Sequence, residues 1–228
     1  MFLATSLLTL LAAPGLADLG PVPAGTLRVF LVRHGQAFSN LDPEPDLPAE
    51  KLDRLTDLGH AQARAAGSAL AGRGIVMILT SPAGRARETA EEIRRALSAP
   101  AVRVEPRLRP LDLGRKADGS ALDWDDRIAS WDAGQDPTPP GGESLARVGE
   151  RVLEVLREAA RAHPGASLVA VAHGEVIGSF LGLLDGTPPA KRYPPDLKNA
   201  SITVVDVAPD GAAKALTSNV VPGGPARP

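Results

Sequence analysis

Cysteine is missing from all 228 residues, which excludes disulfide bonds and thiolate chemistry and removes the usual clue to redox compartment. A strong net charge is missing as well. With 25 Lys and Arg against 27 Asp and Glu, the formal charge is −2. The chain therefore has no general attraction for nucleic acid or acidic membranes, and any anion site must come from a local cluster of arginines. No internal repeat is visible, and the N-terminal apolar stretch falls short of the roughly 20 residues a transmembrane helix needs. What is present is ordinary for a globular protein. Hydrophobic residues make up 43% and charged residues 23%, and the even spread of apolar segments favours one domain.

The first 17 residues, MFLATSLLTLLAAPGLA, carry an apolar stretch followed by Pro14, Gly15 and a small residue, Ala17. This is the pattern of a secretory signal peptide, although no Lys or Arg precedes the apolar run. It predicts a periplasmic or secreted protein with no stable membrane insertion after the signal is removed. A misassigned start or a retained apolar extension would leave the protein cytoplasmic. Residues 18–25 read as an N-terminal loop, 26–221 as the folded domain and 222–228 as a flexible tail.

Past residue 25 strands and helices alternate. Residues 27–32, 75–79 and 168–172 are short, nearly unbroken apolar runs, the pattern of strands covered on both faces of a parallel sheet. Residues 101–105, 201–207 and 213–221 read as less buried strands towards a sheet edge. Between them, Leu58, Ala61, Ala65 and Ala69 follow helical spacing after Thr56, a good N-cap; Ala86, Ala90, Ile93 and Leu97 do so next, then Leu145, Val148, Val152, Val155 and Ala159. Such alternation makes a three-layer α/β/α sandwich on a mostly parallel central sheet.

In an open α/β sheet the working residues gather at the carboxyl ends of strands, where helices begin. His34 with Gly35, and His173 with Gly174, stand at two such ends. Either histidine alone reads as structural; two at equivalent places point to chemistry. Each glycine, lacking a Cβ, lets a substrate approach the neighbouring imidazole. The helix starting at Gly174 aims unpaired N–H groups at the same place, Arg33 adds a cation beside His34, and Arg85 in SPAGRARETA opens a helix after the strand of 75–79. Two imidazoles, two guanidiniums and a helix N-terminus form an anion-seeking set, and the planar fork of arginine matches phosphate oxygens. No metal site is expected, because the two histidines come with no HxxxE-like or paired-aspartate ligands.

Six segments, in order, resemble the histidine phosphatase superfamily in its phosphoglycerate-mutase-like branch. They are RHGQAFSN (33–40), LTDLGHAQA (55–63), SPAGRARETA (81–90), GGESLARVGERV (141–152), VAHGEVIGSFL (171–181) and LKNASITVVDV (197–207). The resemblance implies a metal-independent phosphomonoesterase that uses no cofactor and acts on a small phosphorylated molecule. It makes His34 the nucleophile that becomes phosphohistidine, and Arg33, Arg85 and His173, with Asn40 and Gly174, the groups that hold the phosphoryl oxygens. Phosphoglycerate mutase and a catalytically weak phospho-ligand binding protein are the alternatives.

One position departs from the family. A glutamate that protonates the leaving group lies four residues before a glycine in the segment resembled by LRPLDLG (108–114), and here Pro110 occupies its place. Asp112, on the same face of an extended segment, is the first candidate for the acid, Glu175 the second, and no dedicated acid the third. Residues 106–142 carry Trp124 and Trp131, seven apart and so on one face of a short helix. That face either packs onto the sandwich or caps the phosphate pocket. His60 and His163 read as helix-surface and helix-end residues, Thr56 and Gly59 as a helix start, and Glu143 and Ser144 as caps of the helix that follows.

Overall fold

The computed structural model describes residues 15–97, 101–193 and 197–223. In chain order its main elements are β1 (Leu27–Arg33), α1 (Ala49–Leu52), α2 (Asp57–Ala69), β2 (Ile75–Thr80), α3 (Gly84–Leu97), β3 (Val102–Val104), α4 (Trp124–Asp132), α5 (Leu145–Ala162), β4 (Ser167–Ala172), α6 (Gly174–Leu184), β5 (Ile202–Val207) and β6 (Ala213–Val220). The strands form one sheet in the order β3-β2-β4-β1-β5-β6. The first four in that order run parallel, while β5 pairs antiparallel with both β1 and β6.

Each central strand feeds two cores. In β1, Leu27, Val29 and Leu31 pack with Val148, Val152 and Phe180 of α5 and α6. Phe30 and Val32 pack on the other face with Ala66, Ala90 and Ile93 of α2 and α3. Burial on both faces is the physical reason these strands read as unbroken apolar runs. The sandwich is three-layered, as the sequence predicts.

Two details differ from expectation. β5 lies towards the edge, next to β6, but it is not less buried than the central strands: all six of its positions are buried. Its Asp206 hides charge by a two-pronged bond to Arg28 of β1, with both contacts at 2.8 Å, so an acidic residue here does not mark exposure. The buried face of α2 is also rotated. It consists of Gly59, Ala63, Ala66 and Gly67, while Leu58 is 53% exposed. Small residues take the inner face because α3 lies so close that a Cβ on Gly67 would stand 2.6 Å from the Cβ of Ala96. In α5 every expected position is buried, and in α3 Ala86, Ala90 and Ile93 are, with Leu97 partly buried.

The segment 106–142 is fastened to the sandwich. Trp131 lies in the core and Trp124 stays 38% exposed, and both rings meet Tyr193, at centroid distances of 4.8 and 5.3 Å. Buried Arg127 donates to the carbonyls of Pro137 and Glu143, at 3.2 and 2.8 Å. Arg151 donates to those of Arg107, Arg109 and Pro110. Asp136 caps α5 from outside, accepting from the N–H groups of Leu145 and Ala146 at 2.8 and 2.9 Å.

Most of the expected signal peptide, residues 1–14, lies outside the described residues, as do 224–228 of the tail. Leu16, just before the expected cleavage point, packs with the core under α2 and α3, and its carbonyl accepts from Arg73 Nη2 at 2.8 Å. Among the described residues no helix is long and apolar enough to cross a membrane.

Candidate active site

Three adjacent parallel strands, β2, β4 and β1, end side by side, and the residues just beyond them share the same ladders. The N–H of His34 bonds to the carbonyl of Ala172 at 3.0 Å, and that of Ser81 to Val171 at 2.9 Å. His173 follows directly on β4. The sheet register thus brings His34, Ser81 and His173 together, with the two imidazole centroids 5.2 Å apart and both residues buried.

Hydrogen bonds define the state of each ring. Nδ1 of His34 lies 2.8 Å from the carbonyl of Gly35; a carbonyl only accepts, so Nδ1 carries the proton and Nε2 keeps its lone pair. Arg85 spans the pair: its Nε donates to Nε2 of His34 and its Nη2 to Nδ1 of His173, both at 3.2 Å. With Nδ1 accepting, the proton of His173 sits on Nε2, 2.8 Å from the hydroxyl of Ser81. Burial, reinforced by the Arg85 charge, pushes the His34 pKa down to about 3. Burial and the neighbouring His34 and Arg85 hold His173 well below its ordinary value. Both imidazoles are therefore neutral at pH 7.

Arg85 is itself held. Asp53 pairs with its Nη1 and accepts from the N–H of Gly84, at the start of α3, at 2.6 Å. Arg33 donates to the carbonyl of Leu197 through Nη1, while its Nε is buried with no hydrogen-bond partner among the described residues. Asn40 accepts through Oδ1 from the N–H of Ala37 at 3.0 Å and from Asn199 at 3.2 Å, which fixes the amide orientation and makes its NH₂ the outward donor. Asn199 also donates to the carbonyl of His34, at 3.2 Å. Gly174 opens α6, and its N-cap, His173, makes no side-chain capping bond, so the positive end of that helix is left free for an anion.

The sequence missed Asp53, Ser81 and Asn199. Ser81 and Asn199 lay inside segments already singled out, but their partners are 92 and 165 positions away, beyond the reach of local spacing. Gly35 needs a different explanation from the expected one: a Cβ there would lie 2.4 Å from the carbonyl of Gly59, and one on Gly59 would lie 2.0 Å from that of Gln36. Both glycines exist so that the first turn of α2 can back directly onto the loop carrying His34.

Asp112 does not join the site. It is exposed, its Oδ1 accepts from the N–H of Gly114 at 3.1 Å, and it makes no hydrogen bond or ion pair to either histidine or to Arg33 or Arg85 among the described residues. Glu175 lies within the site's charge field, raised by burial against the pull of Arg85 and Arg33. Glu143 is not a cap; it pairs with Arg109 and Arg151 at 2.7 and 3.1 Å. Ser144 caps α5 and Thr56 caps α2. His60 pairs with Glu92 at 2.9 Å, and His163 ends α5.

Fold and site together define an α/β protein with two neutral, buried imidazoles bridged by one guanidinium at the carboxyl edge of a parallel sheet. The chain belongs to the histidine phosphatase superfamily, branch 1, whose family model matches residues 29–220. A probable phosphoglycerate mutase of Yersinia enterocolitica is 30% identical over 79% of this chain and 85% of its own length. Mycobacterial glucosyl-3-phosphoglycerate phosphatase is 27% identical, with a TM-score of 0.66 over 85% of this chain and 99% of that one. Phosphoserine phosphatase of Entamoeba histolytica shares the fold, with a TM-score of 0.68 and 20% identity over 85% of this chain and 96% of that one.

Proposed function

We propose that the protein is a metal-independent phosphomonoesterase that passes the phosphoryl group of a small substrate through His34. The observation that carries this reading is the Arg85 guanidinium bonded to Nε2 of one neutral imidazole and Nδ1 of the other. Nε2 of His34 has a lone pair, now accepting from Arg85, that phosphorus can take when the guanidinium turns to the phosphate oxygens. As the bond forms, the ring gains positive charge, and the carbonyl of Gly35 already holds its Nδ1–H. Arg33, with its unsatisfied Nε, Arg85, His173, the Asn40 amide and the start of α6 at Gly174 take the oxygens. Charge stabilisation of this kind provides most of the rate in phosphoryl transfer. Water then takes the phosphoryl group from His34.

His34→Ala should lower p-nitrophenyl phosphate hydrolysis by at least about 10³-fold, and an acid-labile, base-stable phosphoryl label should appear on His34 of the unmodified protein after a rapid quench. Undiminished turnover in the alanine variant would sink the covalent route. The relatives named as probable phosphoglycerate mutases support a second reading, in which the acceptor is a phosphoglycerate. Isomerisation of phosphoglycerate faster than phosphate release would establish that reading instead. The N-terminal pattern supports export, for which mature protein from a native host should begin at or near Asp18; intact Met1 on cytoplasmic protein would refute it.

A further inference from the structure

We propose that Glu175, at the start of α6, is the general acid that protonates the leaving oxygen. The assignment rests on the phosphomonoesterase reading above. Asp53, Glu105, Glu143 and Asp112 each have other partners. Asp53 pairs with Arg85 and caps α3. Glu105 pairs with Arg107 at 2.9 Å, Glu143 pairs with Arg109 and Arg151, and Asp112 is exposed and tied to the turn at Gly114. The Arg107 guanidinium holds Glu105 below the usual carboxylate range.

Glu175 differs from the three paired carboxyls in having no cation bound to it, and from exposed Asp112 in being half-buried. It makes no ion pair among the described residues, and its Oε1 accepts a single backbone bond from another residue, the Leu111 N–H at 3.3 Å. That N–H belongs to the residue after Pro110. A carboxyl therefore reaches the backbone beside position 110 although position 110 carries none, delivered by α6. The groups that face it are Arg33, Arg85, Arg151 and Tyr193. Burial raises its pKa against the backbone N–H groups and the guanidiniums that pull it down, the direction a general acid needs.

The step balances. Nε2 of His34 bonds to phosphorus as the ester P–O bond breaks, and the departing alkoxide takes the Glu175 proton and leaves as an alcohol. In the second half, Glu175, now a carboxylate, takes a proton from the water whose oxygen attacks phosphorus, and the P–N bond to His34 breaks.

A nitrophenolate leaves without protonation, whereas an alkoxide does not, so the test compares single-turnover phosphorylation of His34 by glycerol 2-phosphate and by p-nitrophenyl phosphate. Glu175→Gln should lower the alkyl-to-aryl rate ratio about 10²–10⁴-fold, and Asp112→Asn should leave it unchanged. In the unmodified protein, the alkyl reaction should fade as pH rises and Glu175 ionises, with no matching limb for the aryl ester. That profile decides the matter even if the glutamine variant fails to fold. An unchanged ratio in Glu175→Gln, a fallen ratio in Asp112→Asn, or the absence of the alkaline limb would overturn the assignment. If neither ester phosphorylates His34 in the unmodified protein, the esterase reading itself fails, an outcome distinct from a shifted ratio.

Discussion

Neutral imidazoles set the terms at the scale of single residues. In the free site Nδ1 of His173 accepts from Arg85, but towards a phosphate oxygen the same nitrogen must donate. Ser81 makes the change possible: its hydroxyl can accept the Nε2–H or, by turning, donate to Nε2 and leave the proton on Nδ1. Ser81→Ala should therefore weaken inhibition by inorganic phosphate about tenfold, on the scale of a hydrogen bond of about 1.4 kcal/mol, with little change in melting temperature; unchanged inhibition would remove this role. The histidines and arginines were legible in the sequence because strand ends followed by glycine have a local signature. Glu175 was legible only as a second candidate. Its standing over Asp112 depends on one backbone N–H 64 positions away and on the exposure of the aspartate.

At the scale of elements, α2 is the clearest example of a face that periodicity misplaced. Apolar spacing chose Leu58 for the interior, whereas the constraint that decides is contact with the His34 loop and with α3, which admits only small residues. Gly59→Ala would press a methyl group into the carbonyl of Gln36. It should cost about 1–3 kcal/mol in urea unfolding and lower activity by displacing the loop, whereas the same substitution at Gly72 or Gly119, where no atom lies within 4 Å, would strain only the local turn and spare the site. Arg127 does comparable work for the segment carrying α4. Replacing it with Met leaves the buried carbonyl of Glu143 without this donor and should destabilise by about 1–3 kcal/mol. Elements whose apolar side chains make the contact, such as α5, were legible throughout.

For the whole molecule, two histidines buried as neutral rings make stability depend on acidity. In the unfolded chain each would protonate near its ordinary pKa of about 6.5; in the fold His34 resists down to about 3, and His173 is lowered too. The unfolded state thus binds more protons as pH falls below about 6.5, and stability is full above that value and lost below it, by up to about 1.4 kcal/mol per pH unit per histidine. Melting temperatures at pH 7.5, 6 and 5 should show the decline, and His173→Asn should make it shallower. An equal slope in that variant would place the acid sensitivity elsewhere.

The strand order has a consequence in time. β1, with His34, and β2, which leads to Ser81 and Arg85, are made early but never touch, because β4 lies between them. β4 begins at Ser167, so the early strands wait for a late one to wedge in and carry His173 into place. A ribosome-bound chain ending before β4 holds His34, Arg33 and Arg85 yet lacks the strand that joins β1 to β2, and under the proposed reading it should be catalytically silent. During refolding, the return of the proposed phosphatase activity should keep pace with the insertion of β4, so that catalysis would report on the protein's own assembly.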